Sequence, residues 1–381
     1  MDSLTHIVIG AAIGEIVLGK KLGNKAMLWG AIAATIPDLD VVCGPFVDPV
    51  RKIEMHRGVT HSLLFILAFT PLAALWTKRH PSSLLSVFCV LLASVFALGD
   101  VSFAASAIIT AITLVIVALL LWKVKRMEAV STKEWRLLFG IALLSHPLLD
   151  CMTAYGTHLL WPLPVKVSFN NFFIADPSFT LPALVCVVVA LFFRRGDRRR
   201  YRLSAFGLGV GACYLVLTLG MKWKAHSTIS ASLQRQGIAY TSLSTSPSAF
   251  NSVLWVVAVE STDHYGLGYY SLLDTKPEVD LVNVPKGTEL LGQWEHHPTV
   301  ERLIRLTDSK YIIKSQNDTL VLCDLRFGQA GAPSTDARFI YEYRLIPDGE
   351  NLKAQLNPPP SLDGATFKRM LTALWTRLKG E

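Results

Sequence analysis

The stretch HRGVTHSLLFILAF, residues 56–69, joins a polar segment directly to an apolar run. Its first seven residues include two histidines, an arginine, a threonine and a serine, whereas the next seven carry no polar side chain. An apolar run of this kind is typical of a helix that enters a lipid bilayer, where polar side chains are costly. The stretch therefore predicts a membrane helix with polar side chains gathered at its N-terminal end.

The composition of the whole chain indicates an integral membrane protein. Of its 381 residues, 51% are hydrophobic and only 17% are charged, and the mean hydropathy is +0.39. Soluble domains carry roughly 25% charged residues. The net charge of +8 comes from Lys and Arg clusters that stand between apolar runs. That is the positive-inside pattern of membrane proteins, so no nucleic-acid partner is expected.

The apolar runs predict an α-helical polytopic membrane bundle of about eight spans, several of them shorter than the ~20 residues of a full span. The predicted spans are residues 4–18, 26–42, 62–77, 84–98, 102–122, 137–152, 178–193 and 203–221. Basic groups between them assign one set of loops to the cytoplasm. These groups are residues 20–25, 78–80, 123–136 and 194–202. The N-terminus, the 38–61 loop, the 99–101 turn, the 150–177 loop and everything after 221 then lie outside.

The residue pattern of the chain changes after residue 221. This change divides the chain into a membrane domain, 1–221, and a C-terminal domain, 222–381. Segments rich in β-branched and aromatic residues follow, separated by turn residues, and they predict a small β-rich (α+β) extracytoplasmic domain. The predicted strands are residues 252–260, 268–274, 310–316, 319–328 and 338–347. The sequence QNDT, 316–319, is typical of a hairpin turn, and ATFKRMLTALWTRL, 365–378, is typical of an amphipathic helix.

Four polar motifs stand out: MDSLTH (1–6), PDLD (37–40), HRGVTH (56–61) and SHPLLD (145–150). They come from different apolar segments, yet the predicted topology assigns all of them to the outer membrane face. Two of them carry a histidine and an aspartate four residues apart, which lie on one face of a helix. Imidazole and carboxylate together suit Zn²⁺, Mn²⁺ or Fe²⁺. The cysteines do not form a matching set of thiols, so a structural zinc site of the cysteine type is not predicted.

Each of these residues also has an ordinary interpretation when it is taken alone. His6 on an apolar face is typical of a hydrogen-bonded core histidine, and Asp2 of a helix N-cap. Asp38 and Asp40 are typical of turn caps, and Arg57 of a side chain that reaches toward lipid headgroups. Taken together, the motifs favour a site for one or two divalent ions, Zn²⁺ first, because ionisable groups at membrane depth are seldom kept without function.

We therefore predict six metal ligands and three accessory catalytic residues. The ligands are His6, Asp38, His56, His61, His146 and Asp150. Asp40 and Asp2 are expected to bridge ions or to orient ligands, and Arg57 to neutralise charge that develops on the substrate.

The same motifs resemble a known family. MDSLTHIVIGAAIG, PDLD, HRGVTHSLL and SHPLLDCMTAYGTHLLWPL occur in the order found in the LexA-regulated, membrane-bound metal-dependent hydrolases of bacterial inner membranes, over roughly residues 1–165. The resemblance implies an inner-membrane, multi-pass protein with a divalent-metal hydrolase site. It implies ligands among His6, Asp38, Asp40, His56, His61, His146 and Asp150. It implies no particular substrate.

A fainter similarity runs to zinc-dependent phospholipase C and the P1-type nucleases, whose His-x-x-x-Asp…His pattern resembles His146, Asp150 and His158. Those enzymes cut phosphodiesters with several zinc ions. The membrane helix that begins close to Met1 argues against an N-terminal amine ligand, and no later His-x-x-x-Glu pair is evident.

The sequence thus predicts a membrane-embedded metal-dependent hydrolase that acts at the outer face. A site at that depth meets lipid headgroups first, so the expected partners are membrane lipid and a lipid-like phosphoester or ester substrate. Two rival functions stay open. One is a metal or proton carrier, although transporters bind near the bilayer midplane. The other is a membrane anchor for a binding β domain.

Overall fold

The structure is a computed structural model that describes residues 1–97, 103–123, 129–329, 333–357 and 364–380. The chain divides into two compact units. The membrane unit comprises Met1–Ser168 and Pro177–Leu215, and the C-terminal unit comprises Phe169–Asp176 and Val216–Glu381. The division at Leu215 differs slightly from the predicted boundary at residue 221, and the sequence did not indicate that Phe169–Asp176 belongs to the C-terminal unit.

Nine α-helices and two 3₁₀ helices are described between Ser3 and Arg235. They are α1 (Ser3–Leu22), α2 (Asn24–Thr35), a 3₁₀ helix (Ile36–Phe46), α3 (Pro49–Met55), a 3₁₀ turn (Val59–His61), α4 (Leu63–Arg79), α5 (Pro81–Ala97), α6 (Phe103–Lys123), α7 (Thr132–Asp150), α8 (Pro177–Leu191) and α9 (Arg198–Arg235). Each predicted apolar run therefore falls largely on helix, and the helical N-terminal region is confirmed.

The predicted count of eight spans is not supported by the described residues. Three helices are long and apolar enough to cross a bilayer: Ser3–Leu22, Asn24–Gly44 and Arg198–Arg235. A fourth span results if Pro49–His61 and Leu63–Arg79, bent by 60°, are one broken span. Within the residues whose side chains are described, the apolar stretches Pro81–Ser94, Ile108–Leu119 and Pro177–Leu191 are shorter than a full span needs, although the α6 helix as a whole runs over Phe103–Lys123. The predicted outer turn at 99–101 lies outside the described residues, as does part of the basic group at 123–136.

Glycines set the close packing of α1 against α2. A Cβ atom at Gly10 or Gly14 would collide with the α2 backbone, and one at Gly30 would collide with the α1 backbone. Small residues permit this approach of two helix backbones in a membrane protein. The contact matters for function because α1 carries His6 and α2 leads directly into Asp38.

The basic groups of the membrane unit meet at the end opposite the polar motifs. The Lys21 ammonium donates to the Ala129 carbonyl at 2.9 Å and pairs with Glu134 at 2.8 Å. The Lys78 ammonium donates to the Val130 carbonyl at 2.8 Å, and Arg195 donates to the Lys21 carbonyl at 3.4 Å. Three of the predicted basic groups and the described part of the fourth thus share one end of the unit, as the predicted topology requires.

The C-terminal unit contains two four-stranded antiparallel sheets, so the predicted β-rich domain is confirmed. Their orders are β1-β2-β3-β4 and β5-β6-β7-β8. The strands are β1 (Ser242–Pro247), β2 (Leu254–Glu260), β3 (His264–Ser271), β4 (Val282–Pro285), β5 (Tyr311–Gln316), β6 (Thr319–Gln329), β7 (Phe339–Asp348) and β8 (Asn351–Leu356), with helices α10 (Pro298–Leu306) and α11 (Gly364–Leu378). Both the predicted C-terminal helix and the hairpin turn are present. Gln316 pairs with Thr319, and Asn317 and Asp318 take the positive φ values of a type I′ turn.

Two apolar clusters hold the C-terminal unit together. One joins the two sheets through residues such as Leu267 and Phe339. The other packs the last turns of α9, including Ile229 and Leu233, against Trp255 of the first sheet. This packing explains why the second unit begins inside α9: the apolar side chains of its last turns are buried by the sheet.

Candidate metal centre

Four segments bring polar side chains together at one end of the membrane unit. α1 supplies its first turns, the 3₁₀ helix after α2 supplies two aspartates, the bend before α4 supplies HRGVTH, and α7 supplies its last turn. The 3₁₀ helix begins beside Pro37, and Arg57 adopts a positive φ of 64° in the bend. These local breaks in helical structure place the side chains beside one another.

His61 and His146 form the centre of the cluster. Both side chains are fully buried, and their Nε2 atoms face each other at 3.1 Å. His146 Nδ1 lies 2.5 Å from the Ala34 carbonyl oxygen, which only accepts. The proton of neutral His146 is therefore assigned to Nδ1, which leaves a lone pair on Nε2.

Two carboxylates face the same pair of nitrogens. An Asp38 oxygen lies 3.2 Å from His146 Nε2 and 3.6 Å from His61 Nε2. The Oδ2 atom of Asp150 lies 3.4 Å from His61 Nε2 and 3.6 Å from His146 Nε2. Asp150 is fully buried, whereas the Asp38 side chain keeps 18% exposure and marks the accessible side of the cluster.

His6 completes the cluster from α1. Its ring stacks on the His146 ring with centroids 3.5 Å apart, and its Nε2 atom lies 3.4 Å from Asp150 Oδ1. The ring is buried, and neither of its nitrogens has a hydrogen-bond partner in the described structure. Burying imidazole nitrogens without hydrogen-bond partners costs free energy, which a proton donor or a bound cation beside the His6 ring would offset. The α-amino group of Met1 also contacts Asp150 Oδ1.

Two groups of side chains have the spacing that a divalent ion needs. They are His6, Asp38 and His146, and His61, His146 and Asp150, each with ligand atoms within 4.8 Å of one another. Five of the six predicted ligands are therefore brought together. The donor set of imidazole nitrogen and carboxylate oxygen fits Zn²⁺, Mn²⁺ or Fe²⁺. The two His6 nitrogens, which have no hydrogen-bond partner in the described structure, supply an independent sign of fit.

His56 is the predicted ligand that the structure places elsewhere. Its Nδ1 atom lies 2.9 Å from Asp40 Oδ1, and its side chain is 28% exposed. It belongs to neither ligand group. Asp40 lies behind the cluster, where Oδ2 accepts from the Arg57 amide at 3.2 Å and the Thr60 hydroxyl at 3.1 Å. Asp40 thus orients the HRGVTH segment.

Arg57, predicted to neutralise charge that develops on the substrate, lies beside Asp150. The side chain is buried, and its Nε atom lies 3.3 Å from Asp150 Oδ2. Nη1 donates to the Thr153 hydroxyl at 3.0 Å, and the guanidinium lies 4.7 Å from the Tyr155 ring centroid. The Arg57 carbonyl accepts from the His158 amide. Burial by the 150–158 loop keeps the guanidinium next to Asp150.

Asp2 is the N-cap of α1. Its carboxylate accepts from the Thr5 amide at 2.9 Å and from the Thr5 hydroxyl at 2.6 Å. The i, i+4 relation to His6 does not put the two side chains together, because Asp2 precedes the first helical residue. The ordinary interpretation of Asp2 is therefore the one that the structure shows.

Some residues of the site were not singled out by the sequence. The Ala34 carbonyl and the Thr153 hydroxyl contact the cluster, and the Tyr155 ring packs on Arg57. A sequence motif does not indicate which backbone carbonyl will contact a side chain. The loop residues after Asp150 also follow no periodic pattern that would predict their contacts. Thr60 was visible in HRGVTH, but its partners became clear only from the geometry.

The helical fold and the buried His and Asp cluster define an integral membrane protein with a candidate metal centre. A family model described as YdjM inner membrane protein matches residues 1–226, more than half of the chain. The chain belongs to this family, and its place in the inner membrane follows from it. The family description says nothing about catalysis. No curated protein and no solved structure gave a significant match.

Proposed function

We propose that this protein is a membrane-embedded, metal-dependent hydrolase. The observation that carries the proposal is the facing pair of His61 and His146 Nε2 atoms, 3.1 Å apart and flanked by Asp38 and Asp150. Lone pairs and carboxylate oxygens that converge in a buried space repel one another unless a cation lies among them. Arg57 and the Met1 amino group already pair with Asp150, so a divalent ion would chiefly satisfy the two imidazole lone pairs and the Asp38 carboxylate.

The ligand set supports one ion. The two candidate groups share His146, and its Nδ1 atom is already committed to the Ala34 carbonyl. Only Nε2 is left to bind, and one imidazole lone pair serves one ion. We therefore assign His61, His146, Asp38 and Asp150 as the principal ligands, with His6 beside them.

A bound divalent ion supplies Lewis acidity and a water of lowered pKa. His61, His146 and Asp150 hold their side of the site fixed, because all three side chains are buried. The partly exposed Asp38 lies on the side where a substrate enters. Arg57 compensates the charge of Asp150, so the buried carboxylate does not have to be protonated.

His56 is suited to move protons. Its Nδ1 atom donates to Asp40 Oδ1 at 2.9 Å, which leaves the Nε2 lone pair as the proton acceptor. The ring is partly exposed, and its centroid lies 5.7 Å from that of His61. A positioned histidine that is oriented by a carboxylate is a common general base. We assign this role to His56 in place of the predicted role of metal ligand.

The substrate class follows from the place of the site. The cluster lies where α4 and α1 begin, at one end of apolar helices, so lipid headgroups are the nearest esters and phosphoesters. We propose a lipid-like substrate that carries such a bond close to its headgroup.

The proposal is tested with protein purified in detergent and loaded with Zn²⁺. Metal content is measured, and hydrolysis is followed across vesicles of phosphoester and ester lipids. We expect hydrolysis that a chelator abolishes and Zn²⁺ restores. Asp38→Asn should lose metal and activity together, and His56→Ala should keep the metal but lose activity.

Two results would overturn the hydrolase assignment. One is wild-type protein that takes up no divalent metal. The other is metal-loaded protein that cleaves none of the lipids yet moves Zn²⁺ into sealed vesicles, which would identify a carrier.

A further inference from the structure

Thr60 lies between a carboxylate and a histidine of the metal centre. Its hydroxyl oxygen is 3.1 Å from Asp40 Oδ2 and 3.0 Å from His61 Nδ1. A hydroxyl has a single proton to give, and a carboxylate only accepts. The proton of Thr60 therefore goes to Asp40, and the hydroxyl oxygen accepts from His61 Nδ1.

This order of bonds fixes the tautomer of His61. A neutral imidazole that is protonated at Nδ1 keeps its lone pair on Nε2. That nitrogen is the one that faces His146, Asp38 and Asp150. The two central histidines thus reach the same state through different partners. His146 uses the backbone carbonyl of Ala34, whereas His61 uses the side chain of Thr60.

Asp40 cannot replace Thr60 in this arrangement. Its nearer oxygen is 3.7 Å from His61 Nδ1, beyond the length of a hydrogen bond. The Asp40 carboxylate is held in place by the Arg57 amide and by His56. The threonine hydroxyl therefore bridges an anchored carboxylate and the ring.

The backbone around Thr60 keeps the hydroxyl in place. Val59–His61 forms a short 3₁₀ turn, and Ser62 then begins the approach to α4 as its N-cap. The Ser62 hydroxyl donates to the Val59 carbonyl at 2.7 Å and accepts from the Phe65 amide at 3.1 Å. The turn is therefore fastened to the first turn of α4.

We propose that Thr60 is a positioning residue that commits His61 Nε2 to metal binding; this rests on the metal centre of the proposed function. Thr60 contacts neither metal nor substrate and acts through the ring of His61. Partners of this kind that orient a ligating histidine typically contribute 10–100-fold to metal affinity.

The test compares three variants of the full chain in detergent. Thr60→Val removes the hydroxyl and nearly keeps the shape, and Thr60→Ser restores the hydroxyl. Thr113→Val is the matched control, because this α6 threonine donates to the Ile109 carbonyl of its own helix and lies outside the candidate metal centre. Zn²⁺ affinity is measured by competition with a chromophoric chelator, Co²⁺ absorption reports the ligand geometry, and thermal unfolding without metal reports stability.

We expect Thr60→Val to weaken Zn²⁺ binding roughly 10–100-fold and to change the Co²⁺ spectrum. Thr60→Ser and Thr113→Val should bind close to wild type. Wild-type affinity in Thr60→Val, or equal losses in the Val and Ser variants, would overturn the role of Thr60 while the metal centre stands. Wild-type protein that binds no Zn²⁺ would instead defeat the metal centre itself.

A second variant keeps the test decisive if Thr60→Val unfolds. Asp40→Ala removes the acceptor of the Thr60 proton, so the hydroxyl is free to donate to His61 Nδ1. That bond favours the tautomer whose Nε2 carries a proton and cannot bind metal. We expect weaker Zn²⁺ binding in Asp40→Ala as well, and unchanged binding would contradict the proposal.

Discussion

His61 and His146, 85 positions apart in the chain, present their Nε2 atoms to each other at 3.1 Å in a fully buried space. Each ring is oriented from behind, His61 by Thr60 and His146 by the Ala34 carbonyl. Two lone pairs so placed are unfavourable on their own, and Asp38 adds negative charge to the same space, whereas Asp150 is paired with Arg57 and the Met1 amino group. This arrangement is the physical reason to expect a cation.

The distinction between ligands and neighbours gives the first prediction. His61→Ala should lower the divalent metal content of the purified protein to near zero, because it removes a central ligand. His56→Ala is the matched control, since His56 belongs to the same motif but bonds to Asp40 outside both ligand groups. Elemental analysis of both variants after identical purification is the measurement. Equal metal loss in the two would show that the ligand assignment is wrong.

A second prediction separates the two kinds of aspartate. Asp2→Ala should destabilise the protein by about 0.5–2 kcal/mol, because α1 loses its N-cap, and should leave the metal content unchanged. Asp38→Asn should lose metal with little effect on the metal-free protein, because it removes a charge beside His146. Thermal unfolding with chelator and metal analysis together test both. Loss of metal in Asp2→Ala would show that Asp2 contributes to metal binding.

The convergence of the motifs was predictable because each one follows or precedes an apolar run and the basic groups order the runs. The hairpin at 316–319 was predictable because Asn and Asp tolerate positive φ at both turn positions. The roles within the cluster were not. An i, i+4 spacing reports a shared helix face, yet Asp2 precedes α1 and caps it.

Other features depended on contacts that a sequence does not display. HRGVTH gives no sign that His56 pairs with Asp40 while His61 faces His146, because the bend at Arg57 decides which way each ring points. Phe169–Asp176 reads as a loop, but the Asn170 amide donates to Ser246 and to the Thr245 carbonyl, within the C-terminal unit. Apolar runs alone also predicted more full-length spans than the described residues contain.

A third prediction concerns acid stability at the basic end of the membrane unit. Hydrogen bonds from Lys21 and from the amide and hydroxyl of Ser131 lower the pKa of Glu134 from 4.5 to about 2. Because the Glu134 carboxyl has a lower pKa in the folded state than in the unfolded state, its ionised form stabilises the fold above pH 4.5. This contribution is lost as the pH falls toward 2. Glu134→Gln should therefore reduce the loss of thermal stability across that window. Parallel pH profiles for wild type and variant would contradict this expectation.

A fourth prediction concerns the buried pair of Arg200 and Glu15. The guanidinium donates to both Glu15 oxygens, at 2.9 and 2.6 Å, and to the Asn24 side chain at 2.7 Å. Glu15→Ala leaves a buried charge without its partner and should cost about 3–5 kcal/mol. Its neighbour Arg199 is exposed and pairs with Asp197, so Arg199→Ala is the control and should change little. Thermal unfolding in detergent measures both, and similar effects would refute the distinction.

The fifth prediction concerns the side of the membrane on which the C-terminal unit lies. Lys21, Lys78 and Arg195 gather at the end of the membrane unit opposite the His and Asp cluster. Because Lys and Arg are retained on the cytoplasmic side, this end should face the cytoplasm and the metal centre should face out. α9 begins in the basic group and contains a candidate span, so the chain after it should also lie outside.

Alkaline phosphatase fused after Gly380 should be active and a fluorescent protein there dark, whereas fusions after Gly196 should show the reverse. Cytoplasmic fluorescence from the Gly380 fusion would overturn the topology and, with it, the assignment of the site to the outer face.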